Sequence, residues 1–332
     1  MNRVFLKPQK LPSFKVIGLF REPRPHGRIR ELKLAGFDSV RQYADFRRRY
    51  GEHAVKVVFK YGFSAHRVIS EFGKPAADAI SVCGKIALDA ICEHGKPAAL
   101  AISKFGWSAA KNIQKYGRPA ALAISEYGED AIKATSREGE PALSLILKYK
   151  LPALKAIYKH GKPAVEEISE HGLPAALAIS KHGKPALHLI SEYGAPAVKA
   201  ISENGESAID VITAHGLPAA LAVSRHGQPA LEQISKHGKA AAVAIAKHGE
   251  HALKVISVHG WLAANAISEH GAPALRVISV HGWPAALVIS RHGALAVQAI
   301  SKGEAAALKA IRKAEERHLE VEPVLKAIIR KK

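Results

Sequence analysis

The amino-acid sequence predicts an all-α protein built as a superhelical stack of short helices, and three observations predict it. A glycine falls every eleven residues from Gly51 to Gly293, with one lapse at Lys150, so 23 units follow one another without insertion or deletion. The fourth place of every unit is Ala, from Ala54 to Ala296, and the eighth is Ile in 20 units, with Val58, Thr135 and Val223 as the exceptions. The third place is Pro in 13 units.

Each recurrent residue has a mechanical reading, seen in the unit Gly95-Lys96-Pro97-Ala98-Ala99-Leu100-Ala101-Ile102-Ser103-Lys104-Phe105. Glycine is the preferred left-handed residue just past a helix C-terminus. Proline suits the first helical position, where its missing N–H costs nothing, and it pushes the residue before it toward an extended conformation. Where Pro is absent, Ser64, Ser108, Asp130 and Ser207 supply helix-capping types. Each unit therefore reads as a helix of about nine residues, roughly 13 Å long, joined to the next by a two-residue link. The Ala and Ile places are four apart and share one helical face. The small Ala lets backbones approach, and the Ile fills the groove beside it.

An eleven-residue period also fits a long helix in a right-handed coiled coil. Such a helix would carry Gly (about 1 kcal/mol) and often Pro (about 3 kcal/mol) in its interior at every repeat, which excludes it. A parallel β-helix needs β-branched or aromatic strands, which this Ala-rich core does not offer.

Helices this short are marginal alone, and a longer period of 22 shows how they support one another. With the Gly51 unit as zero, the residue after glycine in odd units is apolar at Phe63, Trp107, Leu151, Leu173, Ala195, Leu217, Trp261 and Trp283. In even units the same place is polar in ten of twelve cases, so odd and even helices differ in what they face. The structural repeat is then a 22-residue helical hairpin with one more buried and one more exposed helix. Some eleven hairpins at about 10 Å per layer give an elongated superhelix on the order of 100 Å.

Three segments follow: a basic N-terminal arm and capping helix over 1–50, the repeat array over 51–301, and a C-terminal capping helix with a basic tail over 302–332. Residues 1–30 are rich in Pro and Arg and read as an extended arm, and Asp38-Ser39 caps a helix that runs to Tyr50 and shields the first repeat. At the other end, Glu304–His318 reads as a longer charged helix, and Pro323 separates a final basic segment from Lys326 to Lys332.

Here a resemblance can be stated. The array resembles the α-solenoid class, similar in kind to HEAT, armadillo and tetratricopeptide arrays, with an unusually short repeat. Segments such as Ala178-Ile179-Ser180-Lys181-His182-Gly183 echo the much longer helical repeats of transcription-activator-like effectors. The class resemblance covers residues 51–301 and implies binding over an extended surface rather than a reaction.

Charge is uneven. The net charge is +20, of which residues 1–50 carry 13 Lys/Arg against 4 Asp/Glu and the array only 27 against 20. Attraction to polyanions is therefore expected at the ends. Arg21, Arg24, Arg28, Arg30, Arg41, Arg47, Arg48 and Arg49 favour Arg over Lys, as phosphate recognition often does, and are the candidate polyanion contacts. A solubilising tail is the competing reading. Cys83 and Cys92 are too few for a disulfide framework, which points to an intracellular, cytoplasmic setting. The first 21 residues, basic and free of acids, leave organellar import open. No apolar run reaches the roughly 18–20 residues of a membrane span.

Twelve units carry His at the eleventh place, which raises a metal hypothesis. Ligands must lie about 2 Å from a shared zinc, whereas equivalent places on stacked helices are roughly 9–10 Å apart. The same place also accepts Phe72, Phe105, Tyr116 and Tyr149, which share a flat body but no ligand chemistry. Ser recurs at the ninth place in sixteen units, so bonding back to the preceding turn is its expected role, not nucleophilic attack. No phosphate-cradling loop or isolated catalytic set stands out. The expectation is thus a non-catalytic scaffold without metal, cofactor or small-molecule substrate. Its partner is a protein or large complex, with nucleic acid reached through the basic ends; the alternative is a solenoid that tracks a phosphate backbone. Trp107, Trp261 and Trp283, with Leu151, Leu173 and Leu217, form either a buried seam or an exposed protein-contact edge.

Overall fold

The computed structural model describes residues 25–330. Among them there are twelve helical stretches and no strand: α1 (Pro25–Leu34), α2 (Val40–Tyr61), α3 (Phe63–Phe72), α4 (Lys74–His94), α5 (Lys96–Tyr127), α6 (Glu129–His160), α7 (Lys162–His182), α8 (Lys184–Tyr193), α9 (Ala195–His215), α10 (Leu217–His281), α11 (Trp283–Glu316) and α12 (Val321–Arg330). The chain divides into two compact units, one ending at Glu129 and the other beginning at Asp130. No helix of the described residues is long and apolar enough to cross a membrane.

The long stretches are chains of short helices, because the backbone leaves helical geometry at each repeat glycine. At Gly183 φ is 67° and ψ −139°. That ψ places it outside the left-handed helical region near +47°, in a mirror-extended region that is essentially glycine's alone. Its N–H donates to the Ile179 carbonyl (2.8 Å), and its carbonyl accepts from the Leu187 N–H (3.1 Å). One residue thus closes one helix and opens the next. The expected nine-residue helix with a two-residue link is corrected accordingly: α3 and α8 are ten residues long, each bounded by single glycines.

The residue before proline is helical, not extended, and proline sits second. The first four N–H groups of a helix have no partner within it, so Pro at the second place also removes no hydrogen bond. The carbonyl four residues back lies beyond the link, where the ring cannot strike it. Ser64 stands at this second place too and caps nothing; Gly62 precedes α3 without any side-chain cap. Lys150 takes the glycine geometry (φ 60°, ψ −143°) despite its side chain.

Every fourth-place Ala from Ala54 to Ala296 is fully buried, and the eighth-place Ile residues are buried throughout. Both helices of each pair bury this face, and from Leu217 onward the odd helices are also half-buried or buried at Pro218, Leu221, Ser224, Ala240, Val243 and Ala246, where even helices are exposed at Pro229, Glu232 and Ser235. The register also outlasts the glycines. Glu304 occupies the next link (φ 46°), and Ala307 and Ile311 beyond it are buried like their counterparts.

The ends close the two units. Ser39 caps α2 by accepting from the Gln42 N–H. Phe37, 1% exposed, meets Phe46 (5.2 Å between centroids) and His66 of α3 (4.7 Å), which covers the first repeats. The expected extended arm is already helical from Pro25. At the other end Pro323 lies in the first turn of α12 rather than ahead of it, and the chain breaks earlier, at His318 (φ 54°). Leu325 buries α12 against α11, where Ile328 sits over Gly303 and the Lys302 ammonium donates to the Ile329 carbonyl (2.6 Å).

Candidate interaction surface

The eleventh-place rings decide how links lie beside one another. A Cβ on Gly205 would lie 3.7 Å from Cε1 of His182, on Gly183 3.8 Å from Nε2 of His160, and on Gly282 3.4 Å from Cε1 of His259. Tyr149 covers Gly172 and Tyr193 covers Gly216 in the same way. Each ring therefore roofs the link 23 residues ahead, which is why the place takes His, Phe and Tyr alike. Asn204 is too small to do so, and Gly227 is left uncovered. In the last repeat the partner is a side chain: His292 Nε2 lies 3.0 Å from Glu315, which holds the glycine slot.

These histidines act as packing bodies. The Nε2 atoms of His160 and His248 are enclosed without a hydrogen-bond partner. Burial lowers the pKa of His160 and His237, with Lys159 and Lys184 adding to the effect at His160 and Lys236 at His237. Burial likewise lowers that of His66, against the opposing charge of Asp38. Burial works against ionised Glu315, but the hydrogen bonds from His292 and Arg291 outweigh it and hold its carboxyl below the usual range. Among the described residues no three His, Cys, Asp or Glu side chains come together as a metal-ligand set. The ninth-place hydroxyls donate to carbonyls one turn back, as in Ser103 to Leu100 (3.0 Å) and Ser180 to Leu177 (3.0 Å).

Because links stack 22 residues apart, like-numbered links form rows. In the second unit one row carries Leu151, Leu173, Leu217, Trp261 and Trp283 in the place after glycine. All five are exposed, between 42% and 55%. About half of each of these side chains is thus open to water rather than buried in a seam. In the first unit Phe63 and Trp107 are exposed at the same place. Two further residues on the row went unread in the sequence: Val258 and Val280, exposed at a place that elsewhere holds mostly Lys, Arg or Glu. The signal was there, since Val258-His259-Gly260-Trp261 and Val280-His281-Gly282-Trp283 are the same tetrapeptide one hairpin apart.

The second row of that unit gathers Lys159, Lys162, Lys181 and Lys184 on adjacent links, all exposed. Burial is the main cause of the lowered His160 pKa, and Lys159 and Lys184 of this cluster add to it. Glu138 and Glu140 precede this cluster and Glu203 and Glu206 follow it, so the basic run spans two layers.

Of the candidate polyanion contacts, Arg21 and Arg24 lie outside the described residues, and Arg28 belongs to α1. Arg30, Arg41, Arg47, Arg48 and Arg49 are exposed. Arg47 pairs with Glu52, Arg48 stands 3.9 Å from Asp45, and Arg49 lies over the Tyr50 ring at 5.6 Å. A shallow depression of about 330 Å³ in the first unit mixes Arg67, Glu71, Phe72, Cys92 and Arg118. Cys83 and Cys92 are free thiols, the first buried and the second exposed.

Compared with known protein families, with curated proteins and with solved structures, the chain gives no match.

Proposed function

We propose that this protein is a non-catalytic intracellular binding scaffold. Within each unit its repeats stack as an α-solenoid, and the extended helical surface so formed is presented to a macromolecular partner. The observation that supports this is the exposed apolar row from Leu151 to Trp283. Water-exposed aliphatic and aromatic side chains recurring along one row, here interrupted at Ala195 and Lys239, mark a contact site, and a stack of identical links is a natural way to hold them in line. The basic ends add an attachment to nucleic acid or to a ribonucleoprotein.

A second reading, a solenoid that tracks a phosphate backbone, draws on Lys159, Lys162, Lys181 and Lys184. Those four cover two layers before acids interrupt them, whereas a phosphate backbone repeats its charge without a break. The protein-contact row is longer, and the scaffold is therefore preferred. The test is capture of partners by the tagged full chain, with and without nuclease. Retention of a discrete protein after nuclease supports the scaffold. Loss of all bound material on nuclease treatment moves the balance to the phosphate-tracking reading.

A further inference from the structure

We infer that the links at Val258–Trp261 and Val280–Trp283 form a docking site for an acidic amphipathic helix of a partner protein. This assignment rests on the scaffold reading and gives its partner a chemistry.

The first support is the concentration of apolar surface. Val258 is 74% exposed, Val280 76%, Trp261 55% and Trp283 49%. The ring of His259 sits beside Gly282, 3.4 Å from where a Cβ would lie, so the two links are neighbours and their four exposed side chains lie on adjacent layers. Neither Val is needed by the repeat, because the same place is Lys148, Glu170 or Lys236 elsewhere on the row.

The second support is charge. The adjoining link presents exposed Lys236 and Lys239, and its His237 covers Gly260 at 3.5 Å, which fixes it beside the patch. Arg276 is exposed one turn before Val280. From Lys236 to Trp283 the links of this row contain no acid; Glu304 is the first, one repeat further on. An apolar centre edged by cations fits a ligand with apolar anchors and carboxylates around them. A second copy of this chain is a poor match, since its net charge of +20 opposes its own basic rim.

The third support is the chain's own precedent. At the next link of the row, Lys302-Gly303, a helix is already seated: Ile328 of α12 lies over Gly303, and Lys302 caps the carbonyl of Ile329. The last link of this row thus packs against an amphipathic helix at the end of the stack, with a lysine serving the helix's polar side. Layers about 10 Å apart correspond to roughly seven residues of helix at 1.5 Å each. The docked helix therefore carries large apolar residues at i and i+7, or at i, i+3 and i+7, with Asp and Glu on the flanks.

The probe is a fluorescein-labelled synthetic helix of that design, titrated into the full-length chain and followed by anisotropy. A twin with Lys in place of every acid is the control. The acidic peptide is expected to bind and the basic twin not to. Val258→Ser with Val280→Ser, which removes the apolar surface without adding charge, should weaken binding at least tenfold while circular dichroism and the melting temperature stay as in the parent. Lys236→Glu with Lys239→Glu should weaken it and flatten its salt dependence. In a Trp107→Phe background, both remaining tryptophans should shift to shorter emission wavelength on binding. Absence of binding, equal binding of the two peptides, affinity unchanged in the Val variants, or a concentration-dependent dimer that the Val variants abolish would each overturn the assignment. A parent chain that retains a partner through nuclease but ignores the peptide refutes this site alone and leaves the scaffold reading in place.

Discussion

Replacing Lys150 by Gly tests the link geometry at its one lysine. Lys150 holds φ 60° and ψ −143°, a region where an L side chain costs about 1–3 kcal/mol. Glycine removes that strain, but the unfolded chain gains freedom worth about 0.4–1 kcal/mol. The difference is a net stabilisation of about 1 kcal/mol. For a body the size of the second unit that corresponds to a melting shift of about 2–4 °C. Calorimetry measures it, and amide exchange around residues 146–154 locates it, since stability in a repeat array is partly local. Lys150→Ala is the decisive control. Alanine removes the charge and length but keeps the Cβ, so it should gain nothing. If Ala stabilises as much as Gly, the benefit comes from the side chain, and the backbone argument for the link falls. A destabilised Lys150→Gly would refute it as well.

Other consequences follow from the same geometry. Ile179→Ala, at a fully buried eighth place, should cost about 2–5 kcal/mol, and Ala175→Val about 1–3 kcal/mol through overpacking; equal tolerance of both would mean the face is looser than its burial shows. His66, His160 and His237 have pKa values lowered from 6.5 by burial. Because the unfolded chain then takes up protons first, their contribution is complete above pH 6.5 and is lost as pH falls through the lower folded values. The melting temperature should fall below pH 6.5, less steeply in His160→Gln/His237→Gln; a flat profile from pH 7.5 to 5 contradicts this. Trp261→Ala with Trp283→Ala should change stability by no more than about 0.5 kcal/mol, as surface substitutions do, whereas a large loss would return both residues to the core. If the N-terminal arginines hold a polyanion, binding should weaken steeply with salt, drop on deletion of residues 1–24, which removes Arg21 and Arg24, and mostly vanish when Arg28, Arg30, Arg41, Arg47, Arg48 and Arg49 are also changed to Gln. That deletion stops short of Leu32 and Ala35, which are buried. Nucleic-acid binding undiminished by the deletion and the Arg→Gln changes together would shift the contact to the array.

The regularity that was legible in the sequence is the regularity of the backbone. Gly, Pro, Ala and Ile at fixed places state where helices break and which face is covered, and these are local requirements that one unit can express by itself. The same signal ran further than the glycines, since Ala307 and Ile311 keep register past Glu304. The composition of the slots, not the identity of one residue, carried that information.

What needed the tertiary structure is whatever depends on the unit 22 residues away. The apolar residue after glycine reads equally well as seam or surface until the neighbouring link is in place, and only then are Trp261 and Trp283 seen to be open to water. The histidines read as helix-end residues, yet their constant partner is the glycine 23 positions on, a relation set by stacking rather than by the helix they belong to. The one-residue link was also beyond the sequence, because Gly followed one place later by Pro permits either a spacer or an immediate restart. Packing chose the restart, which lets every Ala and Ile of both helices reach the same buried face. Sequence by itself determined a helical repeat with its period and its inner side; the three-dimensional stack determined which outer residues meet water together, since that is a property of neighbours and not of any single unit.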